Sequence, residues 1–232
     1  MCWRAGFGVA VLLACLAGVS AADVVSARFA DPTNRYPHNV LGSLRGFGTL
    51  EMVQTGGKVL RVVLPEARVF EDIAPRLWDI TGDGKPEVVV VESDTARGAR
   101  LVAYGPEGVV AASDFIGTRF RWLAPLGVAD VLGRGAGQVI WVETPHLGRT
   151  LRLAEVQGDR LVVVASLPGV TAHRIGDETI TGGVRDCAPQ VVALSPDWAR
   201  VLRIGRGSGG GLVAQNGGPN LPGAVAALLR CR

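Results

Sequence analysis

The chain has 232 residues, of which 48% are hydrophobic and 19% are charged. This composition provides a sizeable core and excludes an intrinsically disordered protein. The net charge is only +3, from 24 Lys and Arg against 21 Asp and Glu, and the basic residues form no run, which argues against a nucleic-acid-binding or basic membrane-binding protein. The 33 valines and 32 glycines favour many short strands joined by turns over long helices.

Residues 1–22 have the pattern of a secretory signal peptide. A short basic start precedes an apolar run over residues 5–19, which small residues follow. We therefore predict cleavage before Ala22 or Asp23 and a periplasmic or secreted mature chain without a membrane span. Two alternatives remain open: an uncleaved anchor, for which the run is short, and a lipoprotein, because the residues before Cys15 resemble a lipobox.

The mature chain begins with a short unit of strand-like segments. Apolar residues between turn signals predict strands over residues 49–53, 59–64 and 68–70. This unit is shorter than the units that follow it. We interpret it as a truncated or split repeat.

A candidate metal loop follows this first unit. Calcium prefers six to eight oxygen ligands from a tightly turned loop. The segment from Asp79 to Glu87 offers carboxylates at Asp79, Asp83 and Glu87, the hydroxyl of Thr81 and the main-chain carbonyl of Lys85. We predict one calcium site here. The alternative is a metal-free turn in which the aspartates accept hydrogen bonds from backbone N–H groups.

Internal repetition is the most informative feature of the mature chain. Apolar strand signals beginning at Glu87, Gln138 and Gln190 recur at intervals of 51 and 52 residues. Two further strand signals follow each of these, and a lead-in segment precedes it, so that each unit has four strand-like pieces. The clearest units span residues 75–123, 124–175 and 176–215. This pattern predicts an all-β fold over residues 23–232, a β-propeller of four or five blades, with a β-sandwich as the second alternative.

Two cysteines remain after the predicted signal peptide. Cys187 and Cys231 enter a compartment in which disulfide bonds persist, so we predict that they are bonded to each other. Two free thiols are the alternative. A zinc site is improbable because no histidine lies within ten residues of either cysteine.

The sequence contains no recognisable catalytic motif. No G-x-S-x-G segment is present, and the glycine-rich stretch of residues 205–211 lacks the lysine of a phosphate-binding loop. His38, His146 and His173 are far apart in sequence. We expect each of them to be a surface residue or a hydrogen-bonded turn residue.

The loop and the strand that follows it, repeated about every 50 residues, resemble the FG-GAP or VCBS repeat family, whose blades are similar to those of the integrin α-subunit propeller. The resemblance covers residues 34–214. It is specific at residues 79–91 and weak at residues 130–142 and 186–194. It implies a calcium-stabilised propeller with a binding or adhesion role, and it implies no catalytic residue.

Polar residues precede the inner strand of each unit and predict a ligand-binding ring. In a propeller such loops converge around the axis on one face, and we expect Trp122 to form an exposed aromatic platform there. The alternative is a plug in which Glu71 and Asp72 pair with the arginines. The predicted ring comprises Tyr36, His38, Glu71, Asp72, Arg119, Arg121, Trp122, His173 and Arg174.

These observations together predict an exported binding or scaffold module. Its partner would be a protein, a carbohydrate or a small molecule that the sequence does not identify. The alternative is a hydrolase or lyase that acts on an extracellular polymer at the ring. In an enzyme, we expect a charged side chain at this ring with a shifted pKa and no ion-pair partner, whereas in a scaffold every charged side chain would be paired.

Overall fold

The computed structural model describes residue 1 and residues 22–231, and it is an all-β structure with one short helix. Most of the predicted signal peptide, with Cys15, lies outside the described residues. In chain order the elements are β1 (Val24–Thr33), β2 (Gly46–Gln54), β3 (Val59–Val63), β4 (Arg68–Phe70), β5 (Arg76–Trp78), β6 (Glu87–Asp94), β7 (Gly98–Gly105), β8 (Gly108–Ala112), β9 (Leu123–Ala129), β10 (Gln138–Glu143), β11 (Thr150–Gln157), β12 (Arg160–Pro168), β13 (Gly183–Val184), β14 (Val191–Leu194), β15 (Arg200–Arg206), β16 (Leu212–Pro219) and α1 (Ala224–Leu229).

Three four-stranded antiparallel meanders follow one another along the chain. Strands β5 to β8, β9 to β12 and β13 to β16 pair in sequence order, one meander in each unit predicted from the repeats. The N-terminal strands β1 to β4 form a further, irregular unit around β2.

The units are joined more closely than separate propeller blades would be. Strand β4 pairs with both β2 and β6, and β8 is bridged in parallel to β12 through Ala112 and Arg160. The first twelve strands therefore form one curled sheet, and only β13 to β16 form a second sheet. The all-β prediction is confirmed, whereas a ring of four separate blades is not shown.

Strand β6 lies at the centre of this arrangement and is buried along its whole length. Its valines alternate between two cores, as the two-residue period of a strand requires. Val89 and Val91 pack in the larger core between the units, and Val88 and Val90 pack in the core of the N-terminal unit. This double burial explains the unbroken run of valines in the sequence.

A break in the strand that pairs with β6 positions the candidate site. Strands β4 and β5 both pair with β6, and residues 71–75 between them leave the ladder. At the break, the backbone N–H of Glu71 donates to the carbonyl of Val91 at 3.0 Å. The N–H of Val91 donates to Oδ2 of Asp72 at 2.9 Å. The Asp72 carboxylate thus replaces a backbone acceptor in the ladder.

The C-terminal segment is attached to the last meander by a covalent bond. Cys187 and Cys231 form a disulfide, as predicted. Helix α1 packs against Val192, Leu194 and Val201. In the described part of the chain, no helix is both long and apolar enough to cross a membrane.

Candidate functional site

Five loops meet at one end of the two sheets, and we call this end the histidine face. Because neighbouring strands are antiparallel, the C-terminal end of one lies beside the N-terminal start of its neighbour, as Glu143 at the end of β10 lies opposite Leu123 at the start of β9. The loops that form the face span residues 34–45, 71–75, 113–122, 144–149 and 169–182.

A buried carboxyl group lies at the centre of the histidine face. Oε1 of Glu71 lies 2.8 Å from Nδ1 of His38, and the hydroxyl of Ser93 donates to Oε2 at 2.5 Å. Burial raises the pKa of Glu71 above its ordinary value, and the bonds from His38 and Ser93 oppose that rise. The pair joins the first loop to the broken strand.

Tyr36 fixes the loop of residues 113–122 to the first loop. Its hydroxyl oxygen accepts a hydrogen bond from the backbone N–H of Phe120 at 2.8 Å, and the two rings lie 5.1 Å apart. Burial, followed by the nearby Glu71, raises the pKa of Tyr36 to about 12. Tyr36 is therefore a neutral phenol at physiological pH.

Trp122 is buried, so the prediction of an exposed aromatic platform is wrong. Only 1% of the residue is exposed. Its Nε1–H donates to the carbonyl oxygen of Glu71 at 2.8 Å, which turns the indole inward. The ring of His146 lies parallel to it at a centroid distance of 6.4 Å, and that of His173 lies 4.8 Å away.

His146 and His173 are hydrogen-bonded to each other, with Nε2 of His146 2.9 Å from Nδ1 of His173. Nε2 of His173 lies 2.9 Å from the carbonyl oxygen of Asp177. A carbonyl only accepts, so Nε2 of His173 carries a proton and Nδ1 of the neutral ring accepts. His146 must then donate from Nε2. Its own Nδ1 consequently has a lone pair and no proton.

The environment of His146 favours the neutral ring. Burial, and after it the nearby His173, His38 and Arg149, lower the pKa of His146 to about 4. Burial also lowers the pKa of His173. Burial therefore favours the neutral form of both rings.

The predicted arginines contact aromatic rings and backbone instead of carboxylates. The guanidinium of Arg119 lies 4.3 Å from the centroid of Phe120, and that of Arg174 lies 4.2 Å from that of Trp198. Nη1 of Arg121 donates to the carbonyl of Phe120 at 3.3 Å. Among the residues that the structure describes, none of the three arginines forms an ion pair.

The predicted plug of Glu71 and Asp72 against these arginines is wrong. Asp72 is fully buried and pairs with Arg76 of its own segment, at 2.7 and 2.9 Å. Glu71 pairs with His38 instead. The guanidinium of Arg76 lies only four residues from Asp72 in sequence and occupies both oxygens of its carboxylate.

Two hollows open on the histidine face. The first, which we call the loop hollow, has a volume of about 290 Å³ and is enclosed by residues 33–46 together with Glu71. The second, which we call the histidine hollow, holds only about 20 Å³. It is lined by His38, Phe120, Arg121, Trp122, Thr144, His146 and Leu147.

The structure thus brings Tyr36, His38, Glu71, Trp122 and His173 of the predicted ring into contact. Arg119 and Arg121 flank the group, whereas Asp72 faces the interior and Arg174 lies against the last meander. Sequence reasoning missed His146, because it follows β10, whereas the ring was predicted from residues that precede the first strand of each unit. The signal that could have identified it is the pairing of antiparallel strand ends.

The predicted calcium loop lies at the opposite end of β6 from the histidine face. Asp79 accepts hydrogen bonds from the N–H groups of Gly82 at 2.6 Å and Gly84 at 2.9 Å. Oε2 of Glu87 accepts from the N–H of Ile80 at 2.9 Å. These bonds are the ones expected of the metal-free turn.

The loop also brings several side-chain oxygen atoms together. The hydroxyl of Thr81 lies 3.5 Å from Oδ1 of Asp79 and 3.3 Å from Oε1 of Glu87, and such oxygen ligands are those that calcium prefers. Asp83 accepts from the N–H of Lys85 at 2.9 Å. In the described part of the chain, no group of three His, Cys, Asp or Glu side chains is arranged around a common point. Calcium binding stays a prediction.

The second unit contains a similar turn that keeps one acidic residue, Asp130. Asp130 accepts from the N–H groups of Arg134 and Gly135, both at 2.8 Å, and Oε1 of Gln138 accepts from Leu132 at 3.1 Å. Gln138 occupies the place of Glu87. In this turn a neutral amide oxygen accepts the hydrogen bond that a carboxylate oxygen of Glu87 accepts in the first.

The chain was compared with family models, with curated proteins and with solved structures, and nothing matches it. The resemblance to FG-GAP and VCBS repeats therefore stays a prediction. The function has to be argued from the geometry of the site.

Proposed function

We propose that the protein is an exported binding module that takes its ligand on the histidine face, in the loop hollow. The observation that supports this most directly is the hollow itself. Its volume of about 290 Å³ is close to the lower end of small-molecule pockets, about 300 Å³. A loop that encloses such a volume without secondary structure of its own is usually a binding loop.

The loop is fixed in place before any ligand arrives. His38 is bonded to Glu71, and the carbonyl of Val40 accepts from the N–H of Gly176 at 3.0 Å. The hydroxyl of Ser43 donates to Glu178. Because these contacts come from two other loops, the loop loses little freedom on binding, and a preformed site binds more tightly.

The arrangement of units supports a propeller-like scaffold for this site. The inner strands β9 and β13 lie alongside each other, as do the outer strands β12 and β16. We propose that the three meanders and the N-terminal unit are four blade-like units around one axis. Calcium in the loop of residues 79–87 would then stabilise the end opposite to the ligand.

One observation favours the second candidate function, a hydrolase or lyase for an extracellular polymer. His38 and Glu71 form a buried carboxyl–imidazole pair with a raised carboxyl pKa, and such pairs orient a general base. The binding function ranks first because both oxygens of the Glu71 carboxyl group are already engaged, by His38 and by the hydroxyl of Ser93. Release of new chain ends from a polymer would support the enzyme instead.

A matched pair of variants tests the binding function. Ser43→Trp places a large side chain at the wall of the loop hollow, and Ser208→Trp makes the same exposed change in the β15–β16 hairpin. Wild type and both variants are screened by thermal shift against saccharides, peptides and metabolites. We expect a ligand that raises the melting temperature of wild type and Ser208→Trp but not of Ser43→Trp. A ligand that stabilises all three equally contradicts the proposal.

A further inference from the structure

The histidine hollow differs from the loop hollow in its chemistry. Its lining contains two imidazoles, from His38 and His146, and the guanidinium-bearing Arg121, with the hydroxyl of Thr144, and it contains no carboxylate. Its volume of about 20 Å³ is that of one water-sized group, for which about 10 to 15 Å³ is needed. It therefore accommodates one oxygen atom of a ligand group, and the rest of that group lies outside the hollow.

We propose that the histidine hollow binds one oxyanion group of the ligand, a carboxylate, sulfate or phosphate, with Arg121 as its permanent cation and with uptake of a proton by the histidines. This inference rests on the proposed binding function and names the chemical class of its ligand.

The permanent cation has no competing partner. Arg121 is half-buried and donates to the carbonyl of Phe120 through one nitrogen, at 3.3 Å. It forms no ion pair among the described residues, so its remaining N–H groups suit the two oxygens of a carboxylate. A bound anion would offset the positive charge that Arg121 and Arg149 bring to this face.

The hydrogen-bond network fixes what the two imidazoles offer. Nε2 of His146 donates to His173, so its Nδ1 is the nitrogen left for a ligand, and that atom has a lone pair in the neutral ring. Nδ1 of His38 is engaged by Glu71, which leaves Nε2. A lone pair repels an oxyanion, and protonation converts it to an N–H donor. Binding therefore takes up a proton.

The charged groups around these rings decide the direction of the pH dependence. Burial first, and then the nearby His173, His38 and Arg149, keep the pKa of His146 low. The carboxylates nearby are Glu71, bonded to His38, and Asp177, beside His173. Neither carboxylate lines the hollow. A bound oxyanion supplies the missing negative charge, so it raises the pKa of His146 and binds more tightly in acid.

Sulfate is the probe, because its charge stays constant over the relevant pH range. We expect sulfate to bind wild type at least about fivefold more tightly near pH 5 than near pH 7.5, by isothermal titration. Arg121→Gln should weaken binding about tenfold, the value of one charge-assisted contact. Arg206→Gln removes the same charge beside the Asp130 turn, at the opposite end, and should leave binding unchanged. Equal losses of sulfate affinity in both variants would mean that sulfate is attracted only by the overall positive charge of the protein, and they would overturn the proposal.

A second variant keeps the test decisive if Arg121→Gln fails to fold. His146→Asn should abolish most of the pH dependence while sulfate still binds near pH 7.5; an unchanged pH dependence overturns the proposal. The Ser43→Trp variant separates this inference from the proposed function. If sulfate binds through Arg121 but no ligand distinguishes Ser43→Trp, the proposed function fails alone. If a ligand of the loop hollow is found but Arg121→Gln binds sulfate as tightly as wild type, this inference fails alone.

Discussion

The burial of Trp122 predicts that its N–H group contributes to stability as well as its ring. Trp122→Phe keeps an aromatic ring between His146 and His173 but removes the N–H that bonds to the Glu71 carbonyl at 2.8 Å. A buried acceptor without its donor costs about 1 to 3 kcal/mol. We expect Trp122→Phe to lower the free energy of unfolding by about 2 kcal/mol. Trp122→Ala should lower it by about 3 to 5 kcal/mol, since a large cavity is added.

The assay is urea unfolding followed by far-UV circular dichroism, which does not depend on the tryptophan signal. The control is Trp198→Phe, because Trp198 is only partly buried and forms no indole hydrogen bond in the described structure. The free energy of unfolding of Trp198→Phe should be lower than that of wild type by less than about 1 kcal/mol. If Trp122→Phe and Trp198→Phe destabilise equally, the bond to Glu71 is not a stabilising link between the units.

Three further predictions follow from the disulfide, the histidine pair and the acidic loop. Cys187→Ser should lower the free energy of unfolding by about 2 to 5 kcal/mol, measured without reductant, and an unchanged value would show that the bond to Cys231 is dispensable. The pKa of His146 is lowered from 6.5 to about 4, so the unfolded chain binds a proton more readily in that range. The free energy of unfolding should therefore decrease as the pH is lowered from 6.5 to about 4, by about 1 to 2 kcal/mol after allowance for partial exposure of the ring. His146→Phe should remove this loss relative to wild type; the comparison with the variant is needed because the raised pKa of Glu71 acts with the opposite sign. Millimolar calcium should raise the melting temperature of wild type and not of Asp83→Ala, and magnesium should raise it less. Identical melting temperatures of wild type with and without calcium would show that the loop does not bind calcium.

The repeated strands could be predicted because their signal is local. Unbroken apolar runs, which are typical of strands buried on both faces, follow Glu87, Gln138 and Gln190, and each run lies in a strand of the structure. The continuity of the sheet could not be predicted in the same way. It depends on β4, a strand of three residues that pairs on both sides, and nothing in so short a segment indicates two partners.

The candidate site was predicted in its position better than in its contacts. Reasoning from loops before inner strands placed Tyr36, His38 and Glu71 near Trp122, and the structure brings them together. The inward orientation of Trp122 follows from an acceptor 51 residues away in sequence. Such a partner exists only after the strand has broken at residues 71–75, and that break requires the carboxylate of Asp72 to replace a carbonyl.

The central claim, that ligands bind on the histidine face, can be tested by NMR of the histidine side chains. The chain contains three histidines, and all three lie on this face, two of them bonded to each other and the third to Glu71. The spectrum of a histidine-labelled sample therefore reports on the site alone. We expect the best ligand from the thermal-shift screen to shift all three imidazole signals in one saturable event. A ligand that raises the melting temperature but leaves the three signals unchanged would contradict the account.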